Sequence, residues 1–168
     1  LAGASPHPNA ANIGSKAPKL QIEHWVKGKP VDFNKADEKK IHVIEFWATW
    51  CGPCRTSIPH LTELQKKFKN KGVTIIGITD EQKPTVERFV RRQGKQMEYT
   101  VAIEKGDSMS QSYMRAFGQT GIPSAFVVDQ KDRIVWVGHP MNGLNEVIDR
   151  LVKGTFDLEA EIAKEKAQ

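Results

Sequence analysis

Cys51 and Cys54 are the only two cysteines among the 168 residues, and Gly52 and Pro53 separate them. Two thiols at this spacing close a tight disulfide ring of the kind found at the start of a helix. Pro53 fits the first helical turn, where its missing N–H costs nothing. Cys51 is then expected at the positive end of the helix dipole, where free N–H groups favour the thiolate. The pair therefore supplies a nucleophile and a resolving thiol, and it predicts thiol–disulfide exchange.

Two other roles of the cysteine pair have less support. A structural disulfide across two intervening residues closes so short a loop that it removes little entropy from the unfolded chain. A zinc site needs two further Cys or His ligands at suitable spacing, and the sequence has no second CxxC. The histidines form no HxxxH-type cluster: they are His7, His24, His42, His60 and His139.

The composition is that of a globular domain, with 39% hydrophobic and 27% charged residues. No apolar run approaches the ~18–20 residues that span a bilayer. The net charge is +5. The densest cluster of lysines in the sequence is expected at the end of one helix. These lysines are Lys66, Lys67, Lys69 and Lys71. No basic patch interleaves with aromatic residues, so nucleic acid is not expected as a partner.

The hydrophobic pattern predicts an α/β protein in which a buried strand leads directly to the cysteines. The run from Ile41 to Trp47 is apolar and β-branched, as is typical of a central strand. A helix is expected from the CxxC to about Asn70, with Pro59 inside it and its inward residues at helical spacing. Val73 to Thr79 is expected as a second central strand, reached by a parallel crossover. The inward residues of the helix are Ile58, Leu61, Leu64 and Phe68.

Further elements are predicted on both sides of this unit. An alternating strand over Leu20–Val26 is expected to return through Val31 and Phe33 as a strand pair at a sheet edge. After the second central strand come a helix opened by Pro84, a strand from Tyr99 to Ile103 and a helical piece from about Ser108 to Phe117. A hairpin around 130–132 and a last helix after Gly143 complete the domain.

The expected domain covers residues 18–153. Residues 1–17 are small and polar and are expected to form a flexible arm, and 154–168 a charged tail or peripheral helix. The chain begins with Leu1 and not with Met, which suggests a mature form after a removed leader. An extracytoplasmic location follows as an expectation: the bacterial periplasm, or a secreted or membrane-associated form.

Two motifs carry a resemblance to a known family. The segment from Phe46 to Arg55 closely resembles the active-site segment of thioredoxins, and the segment from Gly121 to Ser124 is similar to their second signature. The predicted strand pair and the helix-strand insert resemble the TlpA/ResA-like branch of the redoxin (AhpC/TSA) superfamily. The resemblance covers about residues 16–153 and implies a thioredoxin fold, with a central mixed sheet flanked by helices.

The resemblance also implies roles for single residues. Cys51 matches the exposed attacking thiol and Cys54 the buried resolving thiol, which together form the redox-active disulfide. Glu45 matches a buried acid that assists proton transfer at Cys54, and a carboxylate in an apolar strand is expected to have a raised pKa. Pro123 matches a proline preceded by a cis peptide bond. The expected substrate-binding surface consists of Trp50, Gly52, Pro53, Ile122 and Pro123.

The direction of exchange is predicted from Gly52 and Pro53, which match the dipeptide of reducing thioredoxins. We therefore expect a protein-disulfide reductase, with disulfide-containing proteins as substrates and a membrane-bound or thioredoxin-type thiol as electron donor. Ser57 departs from the acidic residue that ResA-type proteins usually carry three positions after the second cysteine, which weakens an assignment to apocytochrome reduction. No cofactor or metal is expected, and the chain is expected to be a monomer.

Two alternative functions remain. In a thiol peroxidase the attacking cysteine follows a Pro-x-x-x-Thr-x-x-Cys pattern, but here Thr49 lies two residues before Cys51 and the proline is missing. A non-enzymatic metal-binding module would need two thiolates with a positioned histidine. Neither pattern is complete in this sequence.

Overall fold

The computed structural model describes residues 11–33 and 40–167. One mixed sheet forms the centre, with its strands in the order β1-β4-β3-β2-β5-β6. β2, β3 and β4 run parallel, and β1, β5 and β6 pair antiparallel with their neighbours. The strands are β1 (Ile22–Lys27), β2 (Ile41–Phe46), β3 (Val73–Thr79), β4 (Thr100–Glu104), β5 (Ser124–Val128) and β6 (Ile134–Gly138).

Two α-helices of the described residues connect successive parallel strands, and two more follow the last strand. They are α1 (Gly52–Phe68), α2 (Lys83–Gln93), α3 (Leu144–Lys153) and α4 (Leu158–Lys166), with 3-10 turns at Lys69–Lys71 and Gly94–Gln96. Gly72 ends the first 3-10 turn with a φ of 79°, in the left-handed region that glycine adopts without strain. The predicted helical piece near Ser108 is a π-helix over Ser110–Arg115.

Side-chain alternation along β2 divides the interior into two layers. Val43 and Trp47 point to the face covered by α1, α2 and α3. Ile44 and Phe46 point to the opposite face, where they pack with the π-helix. All six residues of β2 are buried, as the continuous apolar run predicts for a strand covered on both faces.

Two expectations at the N-terminal end differ from the structure. β1 lies at the sheet edge as predicted, but Val31 and Phe33 lie in no strand, so the described residues contain no strand pair there. Phe33 instead buries its ring against His42, 4.8 Å away between centroids. Side-chain packing of this kind buries Phe33 without a ladder of backbone hydrogen bonds.

The expected flexible arm over residues 1–17 also differs where the structure describes it, from residue 11 onward. Ile13 and Ala17 are buried. The amides of Gly14 and Ala17 donate to the carbonyls of Ile134 and Asp132, each at 2.7 Å, and residues 1–10 lie outside the described part. We call residues 11–17 the strap, because they lie along the start of β6.

The C-terminal segment forms the peripheral helix that was one of its two expected forms. Asp157 caps α4 by accepting a hydrogen bond from the Ala160 amide at 3.1 Å. None of the residues in α4 is fully buried. No helix within 11–33 and 40–167 is long and apolar enough to cross a membrane.

Candidate active site

The cysteine pair lies at the carboxyl end of the two central parallel strands. The Trp47 amide donates to the Ile78 carbonyl at 3.1 Å, which extends the β2–β3 pairing by one step. The chain then turns, and the Cys51 amide donates to the Ala48 carbonyl at 3.2 Å. This turn places Cys51 directly before the first residue of α1.

Cys51 and Cys54 are joined by a disulfide, with their Cα atoms 5.2 Å apart. Cys51 is the N-cap of α1, and its Sγ accepts a hydrogen bond from the Cys54 amide at 3.2 Å. Pro53 occupies the first turn, and that turn contains no acidic residue. After reduction the same amide and the helix dipole would favour negative charge on the Cys51 sulfur.

The expectation that Cys51 is exposed is wrong in this oxidised structure. Only 4% of the Cys51 surface is accessible, against 0% for Cys54, so the two differ in the predicted order but both are buried. The cover comes from the loop before β5, whose Ile122 carbonyl lies 3.8 Å from the Cys51 Sγ. Gly52 and Pro53 are exposed beside the disulfide, and Trp50 is 72% exposed.

The loop over the disulfide contains a cis peptide bond between Ile122 and Pro123, as the resemblance implied. β5 begins at the next residue, where Ser124 pairs with Phe46 at the end of β2. The Ser124 hydroxyl donates to the Gly121 carbonyl at 2.7 Å and closes the loop. Antiparallel pairing of β2 with β5 therefore brings Ile122 to Cys51, 71 positions earlier in the sequence.

Glu45 is fully buried in β2, between Gly77 of β3 and Ala125 of β5 in the strand register. Side chains two residues apart in a strand point to the same face of the sheet. Glu45 therefore faces the same layer as Val43 and Trp47, which lies under α1 and contains the disulfide. Neither carboxyl oxygen has a hydrogen-bond partner in the described residues. Burial raises the pKa of this carboxyl well above its usual range. A buried acid with a raised pKa holds its proton to higher pH than an exposed carboxyl does.

Glu81 is a residue of the site that sequence reasoning missed. Its carboxylate accepts hydrogen bonds from the Thr49 amide at 2.8 Å, the Thr49 hydroxyl at 2.5 Å and the Thr79 hydroxyl at 2.9 Å. The Arg55 guanidinium donates to the Thr49 carbonyl at 2.9 Å. The position of Glu81 in the sequence indicates this place, because an acid just after β3 must lie at the same sheet edge as the cysteines.

Ser57 stands where an acidic residue was expected for the ResA type. Its side chain is buried, and its hydroxyl donates to the Pro53 carbonyl at 3.1 Å. The hydroxyl is thus used within the helix, one turn after the cysteines. In the described residues no three His, Cys, Asp or Glu side chains converge into a metal site.

Comparison with known proteins identifies the family. Residues 12–148 match the family model described as Redoxin. The chain belongs to the Redoxin family. The matched region contains both cysteines, Glu45 and the Ile-Pro motif, and thus all the site residues described above.

Named relatives place this redoxin in the TlpA/ResA-like branch. It is 33% identical over 124 residues to the thiol-disulfide oxidoreductase ResA of Bacillus anthracis, covering 73% of this chain and 67% of ResA. It is 32% identical over 160 residues to the thiol:disulfide interchange protein HelX of Rhodobacter capsulatus, covering 89% of this chain and 84% of HelX. The redoxin is thus a thiol-disulfide oxidoreductase of this branch.

Solved structures confirm the thioredoxin fold of this redoxin. A putative protein disulfide isomerase from Bacteroides thetaiotaomicron aligns with a TM-score of 0.71 at 26% identity, covering 84% of this chain and 91% of that one. A thiol:disulfide interchange protein from Chlorobium tepidum TLS aligns with a TM-score of 0.65 at 28% identity, covering 87% and 99%. The mixed sheet with helices on both faces is shared with these proteins.

Proposed function

We propose that this redoxin reduces disulfides of protein substrates, with Cys51 as the attacking thiol and Cys54 as the resolving thiol. The observation that carries the proposal is the position of Cys51 at the N-cap of α1, where its Sγ accepts the Cys54 amide. The reduced Cys51 thiolate would keep this stabilisation, while the fully buried Cys54 lacks it. The two cysteines therefore differ in reactivity in the order that the proposal needs.

The proposed exchange proceeds in two steps. The Cys51 thiolate attacks one sulfur of the substrate disulfide, which forms a mixed disulfide and releases the other substrate sulfur as a thiolate. Cys54 then attacks the Cys51 sulfur, the mixed disulfide breaks, and the second substrate thiolate leaves. The substrate gains two electrons, and the protein ends as the Cys51–Cys54 disulfide.

We assign Glu45 as the acceptor of the Cys54 proton in the second step. Its burial in the same layer as Cys54 and its raised pKa support this role. Cys54 lies in apolar surroundings that disfavour its thiolate, so a nearby proton acceptor would speed its attack.

The substrate is proposed to contact Trp50, Gly52, Pro53, Ile122 and Pro123. Trp50 offers an exposed ring, and the Ile122 carbonyl lies close to the Cys51 sulfur. Because Cys51 itself is almost covered, substrate entry needs a small displacement of this loop or of Trp50. Contact is expected to be small and transient.

The dithiol must be regenerated by a second thiol protein, which we propose to be a membrane-bound or thioredoxin-type donor. We also propose an extracytoplasmic location and a monomeric state. The relatives named ResA and HelX support a search among exported redox proteins.

The proposed function is tested by reduction of insulin disulfides with dithiothreitol as the electron source. Cys51→Ser is expected to abolish the activity, and Cys54→Ser is expected to accumulate a mixed disulfide visible by mass spectrometry. Activity of Cys51→Ser equal to that of the wild type would refute the mechanism. Equilibration of the Cys51–Cys54 couple in glutathione buffers decides the direction, since a potential well above that of the glutathione pool would indicate an oxidant.

A further inference from the structure

Three neighbouring side chains on the α1 face of the sheet contain buried polar atoms without hydrogen-bond partners in the described residues. The atoms without partners are both carboxyl oxygens of Glu45, the indole N–H of Trp47 and the hydroxyl of Tyr99. Their exposed fractions are 0%, 3% and 5%. Buried polar groups are satisfied in the large majority of cases, so several exceptions on one face need an explanation.

Gly77 shows how closely these side chains approach one another. It is the register partner of Glu45 in the β2–β3 pair, so the two residues face the same side about 4.8 Å apart. A Cβ atom at Gly77 would lie 3.0 Å from the Trp47 Nε1 and 3.3 Å from the Tyr99 Cε2. The missing side chain thus lets the indole N–H and the tyrosine ring pack closely against Gly77, next to Glu45.

The groups that face Glu45 from the packed elements are few. β3 contributes Gly77 and β5 contributes Ala125, neither of which titrates. The disulfide at the start of α1 lies in the same layer, and α2 contributes Val86 and Phe89 to that layer. The segment before β4 contributes Tyr99. No charged side chain of the described residues shifts the pKa of Glu45, which is raised by burial alone.

We propose that Tyr99 is a positioning residue for the second step of exchange, in which its neutral hydroxyl donates a hydrogen bond to the Glu45 carboxylate, directly or through one water molecule. The donor stabilises the charged carboxylate and so sets the pH at which Glu45 can take the proton from Cys54. This inference rests on the role of Glu45 in the proposed function. In the oxidised structure this hydrogen bond is not formed. It is expected to form when Glu45 carries its charge in the reduced protein.

The chemistry of Tyr99 agrees with a donor that keeps its own proton. Burial raises the pKa of its hydroxyl well above the usual range, and the charge of Glu45 raises it further. During the step, the proton of the Cys54 thiol passes to Glu45 and the Cys54 sulfur forms the bond to Cys51. The bond from Cys51 to the substrate sulfur breaks. Tyr99 neither gains nor loses a proton.

The step can be followed with the reduced full chain and 5,5′-dithiobis(2-nitrobenzoate). Attack by Cys51 releases one thionitrobenzoate, and resolution by Cys54 releases the second, so stopped-flow absorbance separates the two steps. We compare the pH profile of the second phase in the wild type, Tyr99→Phe and Glu45→Gln. Tyr113→Phe is the matched control, because Tyr113 is also buried but packs on the other face of the sheet, with its hydroxyl donating to the Pro18 carbonyl at 2.6 Å.

In Tyr99→Phe the midpoint of the pH profile of the second-phase rate is expected to move to higher pH by about one unit. At pH values below the midpoint, the rate should then be about tenfold lower than in the wild type. The first phase and the profile of Tyr113→Phe should match the wild type. In a Glu45→Gln background, Tyr99→Phe should have no further effect. Carbon-13 NMR of the Glu45 carboxyl in the reduced protein should show the same upward shift of its pKa in Tyr99→Phe.

Two results would overturn the inference, and they are distinguishable. If Glu45→Gln alters the second phase but Tyr99→Phe matches Tyr113→Phe, the role of Tyr99 is wrong and that of Glu45 stands. If Glu45→Gln leaves the second phase unchanged, the proton-acceptor role in the proposed function is wrong, and the inference is overturned with it.

Discussion

Glu45 illustrates how one residue links the stability of this redoxin to its chemistry. Its carboxyl is fully buried without a hydrogen-bond partner in the described residues, and its pKa is raised above 4.5, its ordinary value. Between the unfolded and folded pKa values, the folded chain holds a proton that the unfolded chain has lost. The free energy of unfolding therefore falls as pH rises through this interval, by at most about 1.4 kcal/mol per pH unit.

Glu45→Gln should remove this pH dependence from the oxidised protein. We expect the variant to gain stability relative to the wild type as pH rises from 4.5 to 8, because the amide carries no charge to bury. Urea unfolding across this range measures the difference. Glu63→Gln, on the exposed side of α1, is the matched control and should follow the wild-type curve. A constant difference between Glu45→Gln and the wild type at all pH values would contradict the prediction.

Trp50 is the residue through which protein substrates should be distinguished from small disulfides. Its ring is 72% exposed and therefore adds little to folding. Trp50→Ala is expected to lower kcat/KM for insulin about tenfold, roughly 1.4 kcal/mol, because aromatic anchors contribute strongly to contact surfaces. The rate of the first phase with 5,5′-dithiobis(2-nitrobenzoate) should change little. Equal losses for both substrates would indicate that Trp50 acts on Cys51 and not on the substrate.

At the scale of elements, the turn between β2 and α1 is held by the loop that follows β3. Glu81 accepts three hydrogen bonds there, two of them from Thr49 and one from Thr79. These contacts fix the backbone immediately before Trp50 and Cys51. The position of Cys51 thus depends on a residue 30 positions later in the chain.

Glu81→Ala is expected to lower the free energy of unfolding by about 1–3 kcal/mol, since it leaves a partly buried amide and two hydroxyls without their acceptor. Hydrogen exchange of the Thr49 amide should accelerate more than exchange in β3. Glu87→Ala, which removes only an exposed contact with Arg91 at 4.0 Å, is the control and should change stability by less than about 0.5 kcal/mol. Slow exchange at Thr49 in Glu81→Ala would show that the turn holds without this carboxylate.

Local sequence patterns predicted most elements because burial periodicity and helix signals act over a few residues. β2, α1 with Pro59 inside it, and the β5–β6 hairpin all formed where the pattern placed them. The pattern failed where long-range packing decides the outcome. Val31 and Phe33 have the alternation of a strand but pair with no strand of the described residues, and Cys51 is covered by a loop 71 residues later.

The same limit applies to the site. Glu45 was recognisable because a charge in an apolar strand is unusual, and the cysteines because of their spacing. In the sequence Tyr99 indicates only the start of a strand, since a tyrosine is ordinary in that context. Its proximity to Glu45 depends on the order of β2, β3 and β4 in the sheet and on the small size of Gly77.

At the scale of the whole molecule, the two ends of the chain contribute differently to the domain. The strap buries Ile13 and Ala17 and exchanges backbone hydrogen bonds with residues near the start of β6. α4 contains no fully buried residue and begins after the last helix of the central domain. The strap is therefore part of the fold, and α4 lies on its surface.

Removal of residues 1–17 should lower the free energy of unfolding by about 3 kcal/mol, from the lost burial of Ile13 and the lost hydrogen bonds. Removal of residues 157–168 should lower it by about 1 kcal/mol or less. Urea unfolding of the two shortened chains tests the contrast. Equal losses, or a larger loss from the C-terminal truncation, would contradict it.

The strap also affects how this redoxin behaves beside other copies of itself. β6 is the outermost strand of the sheet, and Gly14, Ser15 and Ala17 occupy backbone groups of Asp132 and Ile134 at its start. An open edge with apolar residues such as Val135 and Val137 is a template for strand addition by a second chain. Detachment of the strap would therefore add concentration-dependent aggregation to the loss of stability, so the strap also protects the domain from self-association.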